Sequence, residues 1–288
     1  MNQFAQKREI PQGEGKTVSF TRYTPLTKAA ITGFLTEGAN PDGQILTTAS
    51  VTDTIKEWGA VINISSLLSL TAIDKNISEK VPLLAQYIAE TMDWYAMAEV
   101  AINATAQVAG GKALTDIVAT DVLSTTELRK AKRTLKKNKA LKFEDGYLVC
   151  VVGPDGSFDL QGDTDFLDAG KYSDIVSLYR GELGKWMGFR VVEDSTPYLM
   201  GVNGVQSDSG AVANTLCFGK HAYGDIRLAS GGGDSEALTG AEIIIKQSGP
   251  GDTSNALNRY STAGVLAAYT CKTLNANWAI TIKHGYTA

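Results

Sequence analysis

The chain has 288 residues, of which 43% are hydrophobic, and a formal net charge of −4 at pH 7. That length holds one large domain or two modest ones with a sizeable core. The acidic balance lacks the basic footprint of a sequence-specific nucleic-acid binder, and no apolar run nears the roughly twenty residues that span a bilayer.

The N-terminal segment, Met1 to Gly15, is polar and lacks the apolar stretch of a signal peptide. Lys16 to Tyr23 then alternates, with Val18, Phe20 and Tyr23 among polar residues. Thr48 to Ile64 alternates again, with Val51 and Ile55 in one phase and Trp58, Ala60, Ile62 and Ile64 in the other. Period two predicts strands, and the change of phase predicts a bulge near Gly59. Between them Pro25, Gly33, Gly38 and Asn40-Pro41-Asp42-Gly43 are turn residues. A strand of this length reaches roughly 55 Å, whereas a compact body of the remaining residues has a radius of gyration of about 17 Å. The arm therefore overshoots its own domain. Its apolar face needs a partner, and another copy of the chain is the natural one, so ordering of the arm is expected in an assembly.

Asn76-Ile77-Ser78-Glu79 is a helix-start pattern, and Pro82 suits the first turn of the long helix that follows. Leu84, Ile88, Met92, Tyr95, Glu99 and Ile102 form its stripe, over about twenty-five residues ending near Gly110-Gly111. Ser124-Thr125-Thr126-Glu127 reads as a capping box opening a second helix to about Lys139. Leu128, Ala131 and Leu135 make its narrow apolar stripe, and Arg129, Lys130, Lys132, Arg133, Lys136 and Lys137 cover the rest. This basic face suits phosphate charge without reading sequence. A solvated face, or one paired with a neighbour's acids, is the alternative.

Tyr147 to Val152 is a continuous apolar run ended by Gly153-Pro154-Asp155-Gly156, as in a central strand covered on both sides. Strands are also predicted at Arg190–Val192, Thr215–Phe218 and Ile243–Ile245, with loops at Gly201–Ala213 and Gly231–Gly233. Gly264–Leu274 and Trp278–Lys283 read as a closing hairpin around Asn275-Ala276-Asn277. The order of elements is that of an α+β fold rather than a doubly wound sheet. Asp163, Asp165 and Asp168 could hold a hard cation, but the EF-hand spacing is absent and turn or helix-cap carboxylates are the plainer reading. His221 and His284, the only histidines, read as surface or edge residues. Neither a nucleophile-elbow nor a zinc-helix motif occurs. Cys150, Cys217 and Cys271 sit singly in apolar runs, so buried thiols of a reducing compartment are expected, with no disulfides.

Several segments resemble one family. Arg22-Tyr23-Thr24-Pro25-Leu26, Leu35-Thr36-Glu37-Gly38 and Pro41-Asp42-Gly43-Gln44 are similar to the start of tailed-phage major capsid proteins of the coliphage N-four type. So are Leu135–Ala140, Phe166–Tyr172, the run Gly181-Glu182-Leu183-Gly184-Lys185-Trp186-Met187-Gly188-Phe189-Arg190, and Leu257–Gly264, all in the family's order. The resemblance implies the Hong Kong 97-type capsid fold. Its parts would be an N-terminal segment (1–11), an extended β-hairpin loop (12–65), a peripheral domain with a spine helix (66–122), an axial domain (123–240) and C-terminal strands returning to the peripheral domain (241–288). It also implies a non-enzymatic, self-assembling subunit of the icosahedral virion shell, made in the host cytoplasm. The implied partners are hexamers and pentamers of itself, a scaffolding protein, a portal, an optional decoration protein and packaged double-stranded DNA, with no cofactor, metal or membrane. Phe20, Arg22, Tyr23 and Trp58 are the expected inter-subunit contacts of the arm, and the six cations of the second helix the DNA-facing ones. Some relatives crosslink a lysine of this loop; Lys16 and Lys28 stand in it here. An encapsulin-like compartment shares the fold, and an enzyme built on the acidic cluster is the alternative from another class.

Overall fold

The computed structural model describes residues 1–10, 15–23, 37–38, 45–65, 67, 76–166, 182–195, 212–228, 241–246 and 259–287. The expected loops at 201–211 and 231–233, Lys28, Asp168 and the segments around 24–36, 167–172 and 257–258 lie outside them.

Two sheets build the body. The first joins β1 (Gln6–Ile10), β10 (Tyr223–Leu228), β12 (Tyr260–Thr273) and β11 (Ala241–Lys246), and β4 (Lys56–Ser65) also pairs with β12. Since β11 and β4 both pair with residues 262–267, they flank β12 on opposite sides. The second sheet has the order β5 (Thr105–Val108), β13 (Ala279–His284), β9 (Ala213–Phe218), β6 (Leu148–Val152), β8 (Phe189–Glu193), β7 (Glu182–Trp186). A separate ribbon pairs β2 (Thr17–Tyr23) with β3 (Thr48–Thr54).

Alternation along the second sheet sorts side chains into two cores. Val149, Val151, Leu216, Phe218 and Ala279 face one, together with the helix α1 (Asn76–Asn103) and the first sheet. Leu148, Cys150, Val152, Cys217, Ile280 and Ile282 face the other, which α2 (Thr125–Lys137) covers with Leu128, Ala131 and Leu135. The apolar run 148–152 is thus buried at every position, as a doubly covered central strand requires. A short helix, α3 (Pro154–Gly162), follows it directly, with Pro154 in its first turn.

Several expectations need correction. The phase change in the arm falls at Ile55, between β3 and β4, and not at Gly59. Gly59 lies inside β4, where a Cβ would come within 2.9 Å of the Val265 carbonyl oxygen, so close approach to β12 is what it supplies. Because β4 is a body strand, the arm does have a core at its base. The long helix runs from Asn76 to Asn103 with Pro82 in its interior, and β5 intervenes before Gly110. Its buried side is Leu84, Ile88 and Met92, then Ala96, Met97, Val100 and Ala101, while Ile102 is exposed. The small alanines let the helix sit close on Ala263 and Ala267 of β12. The C-terminal strands are no hairpin: β12 belongs to one sheet and β13 to the other, with a 3₁₀ turn at Ala276–Trp278 carrying the chain across.

The polar N-terminus is also structural. β1 runs parallel to β10, Phe4 meets Phe143 and Phe218 edge-on, and the Met1 amine lies 3.0 Å from Asp93.

Candidate functional site

The ribbon is the first candidate surface, and its two ends differ. At its base Val18 and Phe20 join Ile10 and Ile226 in a small core, and the Phe20 ring fills the space where a Cβ on Gly224 would lie. Arg8 stacks over that ring at 5.7 Å and donates to the Ser19 carbonyl. At its far end Tyr23 is 62% exposed against 5% for Phe20, and the adjoining Ile45 is 88% exposed, with Leu46 also in the open. Seven residue pairs hold the ribbon, with no third strand among the described residues. An isolated two-stranded ribbon is marginal in water.

Phe20 and Trp58, expected to contact neighbouring subunits, also pack within the chain. Trp58 packs on Tyr95 with ring centres 5.0 Å apart, and its indole N–H donates to the Tyr269 carbonyl at 3.1 Å. Arg22 and Tyr23 remain exposed. Residues that the sequence reading missed complete the apolar surfaces. Val61, Ile244 and Leu266 are exposed and lie on adjacent strands of the first sheet's outer face, around Gly59 and Gly264. Leu83, Tyr87 and Trp94 are exposed on α1, at spacings of four and seven. The signal for the first group was available: Val61 falls in the phase opposite to Trp58, Ala60 and Ile62.

The basic helix is the second candidate. Arg129 pairs with Asp165 at 2.7 Å and stacks over Trp186, and Lys130 pairs with Glu127 at 2.7 Å. Lys132 donates to the Met187 carbonyl in the β7–β8 turn. Arg133, Lys136 and Lys137 are exposed with no ion-pair partner among the described residues. With Arg129 and Lys132 they line an open depression of about 470 Å³, with no carboxylate in its lining among the described residues. Burial, and then the charges of Lys136 and Lys142, lower the pKa of Lys132.

Of the acidic cluster, Asp163 caps a helix and Asp165 is the partner of Arg129. Ser124 makes no side-chain cap; the carboxylate of Asp163 accepts from both the backbone N–H and the hydroxyl of Thr125, at 3.0 and 2.8 Å. Burial opposes the charge of Asp163, but these bonds, the Asp165 N–H and Arg129 outweigh it and hold the carboxyl below its usual range. Glu127, expected to complete a capping box, instead accepts from the Gln107 amide and the Gly110 N–H. Among the described residues no group of three or more His, Cys, Asp or Glu side chains is placed to hold a metal.

His284 is a core residue, not an edge one. It is 1% exposed; Nδ1 lies 2.7 Å from the Gly285 carbonyl and Nε2 2.9 Å from the Thr215 hydroxyl. The neutral ring with its proton on Nδ1 satisfies both contacts, and burial lowers its pKa. His221 lines a cleft of about 350 Å³ with Phe4, Phe143, Tyr147 and Arg190. Charged groups around this cleft are paired, Lys220 with Glu144 and Arg190 with Asp145. All three cysteines are free and buried, but Cys150 and Cys217 are direct partners in the β6–β9 ladder, with sulfurs 3.2 Å apart.

No protein-family model matches the chain, and neither does any curated protein. Solved structures do. The chain superposes on the capsid of Ralstonia phage GP4 with a TM-score of 0.71 at 13% identity, covering 99% of this chain and 88% of that one. The capsid asymmetric unit of cyanophage Pam1 gives 0.69 at 16% identity, over 96% and 86% of the two chains. The fold is the Hong Kong 97-type capsid fold. An encapsulin complex, SrpI of Synechococcus elongatus PCC 7942, matches at 0.61 with 8% identity over 99% of this chain.

Proposed function

We propose that this chain is the major capsid subunit of a tailed double-stranded DNA phage, a virion protein that works by self-assembly and not by catalysis. The observation that carries the reading is the whole-length Hong Kong 97-type fold combined with apolar side chains left bare at the ribbon's far end. Contiguous exposed apolar patches mark association surfaces. Tyr23, Ile45 and Leu46 of one copy are taken to cover apolar surface of the next, with Arg22 beside them, and the outer face around Val61, Ile244 and Leu266 is the matching ground. Interlocked contacts of this kind bury on the order of 2,000–5,000 Å². The sequence resemblance favours the N-four type among tailed phages.

The finer partners follow from the same reading. A scaffolding protein would guide closure, a portal would occupy one vertex, and a decoration protein could bind outside. Arg133, Lys136 and Lys137 would lie toward packaged DNA, offsetting phosphate charge without base contacts. The match to an encapsulin supports a second reading, a compartment of the same fold around other contents.

Negative-stain microscopy of the expressed chain, alone and with its co-expressed scaffolding protein, tests the proposal. Closed particles are expected, and their contents separate genome from cargo. A chain that stays monomeric under both conditions overturns it.

A further inference from the structure

Cys150 and Cys217 stand directly opposite each other on the two middle strands of the six-stranded sheet. Their sulfurs are 3.2 Å apart, and both side chains are fully buried between α2 and the sheet. Directly opposed residues of an antiparallel pair have Cα atoms about 4.5–5.5 Å apart, inside the range of about 4.4–6.8 Å that a disulfide requires. Closing the bond therefore asks for side-chain rotation and no movement of the strands. Cys271, by contrast, lies in β12 of the other sheet and faces the other core.

We infer that Cys150 and Cys217 are a latent dithiol site, which a peroxide oxidises to an intrachain disulfide across β6 and β9 while Cys271 stays reduced. One thiolate attacks a peroxide oxygen, giving a sulfenic acid and, once protonated, one water. The second sulfur then displaces the sulfenic oxygen, which leaves as a second water. Two thiols and one hydrogen peroxide become one disulfide and two waters. Both sulfurs are fully buried, which favours a small oxidant. Burial and the hydrogen bond that it donates to Cys150 raise the Cys217 thiol's pKa well above the ordinary value, so thiolate forms when the sheet opens locally and the reaction is slow in the closed state. The bond would span 67 residues and tie the β13–β9 half of the sheet to the β6–β8–β7 half. A particle released from a reducing cell into an oxidising medium meets the conditions that close it.

The test uses the full chain, with hydrogen peroxide as the probe. After treatment the protein is unfolded, alkylated and mapped without reduction. The oxidised chain should take one alkyl label, on Cys271, where the untreated chain takes three. A linked pair of peptides holding Cys150 and Cys217 should appear and vanish on reduction. Cys217→Ala should abolish the linked pair and leave Cys150 labelled. If that variant does not fold, Cys271→Ala carries the test, with two labels falling to none. Three labels after treatment, a link through Cys271, or loss of label as sulfinic acid without a linked pair overturns the inference. Label counts read the same whether or not particles form, so this result is separate from that of the assembly proposal.

Discussion

The ribbon and the six-stranded sheet are made of similar strands and behave as opposites. In the sheet, β6 has neighbours on both edges and a core on each face, and every one of its residues is buried. In the ribbon, β2 and β3 have only each other as strand partners among the described residues, and burial stops at Phe20. The difference lies in what surrounds the backbone ladder rather than in the ladder itself. A sheet with two cores is stable within one chain, whereas the ribbon's far end finds no apolar cover among the described residues. The dividing point is Ile55, since β4 beyond it is already a body strand.

Removing the ribbon's far end should break the comparison most visibly. Tyr23 and Thr48 are the last ladder pair, so residues 24–47 can be replaced by an Asn-Gly turn that closes a tight hairpin. The shortened chain is expected to keep native circular dichroism and to sediment as monomers or capsomers. Closed particles of normal size would remove the ribbon from assembly. Next in size is a matched pair of truncations. Phe218→Ala, in the body, should lower subunit stability by about 3–5 kcal/mol. Tyr23→Ala should change it by no more than about 0.5 kcal/mol while reducing particle yield. Equal effects on denaturant midpoints would erase the distinction.

Trp58→Ala sharpens where the boundary runs. Because its ring packs on Tyr95 within the chain, isolated subunits should lose roughly 2 kcal/mol. An unchanged unfolding midpoint would place Trp58 back among the arm residues. The smallest effect concerns pH. The folded state holds His284 neutral below the ordinary value of 6.5, so above that pH the ring contributes nothing to the pH dependence. As pH falls below 6.5 the unfolded chain takes up a proton that the folded chain refuses, and stability declines by at most about 1.4 kcal/mol per unit. His284→Gln should flatten that slope, as read from urea midpoints across the range; an unaltered slope assigns it elsewhere.

Much of this was legible in the chain itself, where burial follows a local period. The run 148–152, the stripe of Leu128, Ala131 and Leu135, and the alternation of Trp58, Ala60 and Ile62 all report the face they bury. What was not legible depends on distant partners. β1 has no apolar alternation, and its strand character comes from the edge of β10 that it joins, more than 200 residues on. The helix cap at Thr125 comes from Asp163, 38 residues away, which no capping-box pattern contains. β12 and β13 are separated by a short turn yet part into different sheets, because better partners than each other exist. His284 could have been found: it continues the phase of Ile280 and Ile282, whose burial it shares. The candidate surfaces were half visible. Tyr23 was named for its place in a resembling segment and Val61 could have been named from its phase in β4, while Ile45 and Ile244 are recognised only once the body leaves them uncovered.

The double-sided sheet has a mechanical corollary. Curving such a sheet would squeeze the side chains on one face and draw apart those on the other, and close-packed interiors resist both. Val149 and Val151 press toward α1 while Leu148, Cys150 and Val152 press toward α2, so the layers act as a laminate. A vessel built from such plates would keep its tiles rigid and take up curvature and internal pressure at the seams between them.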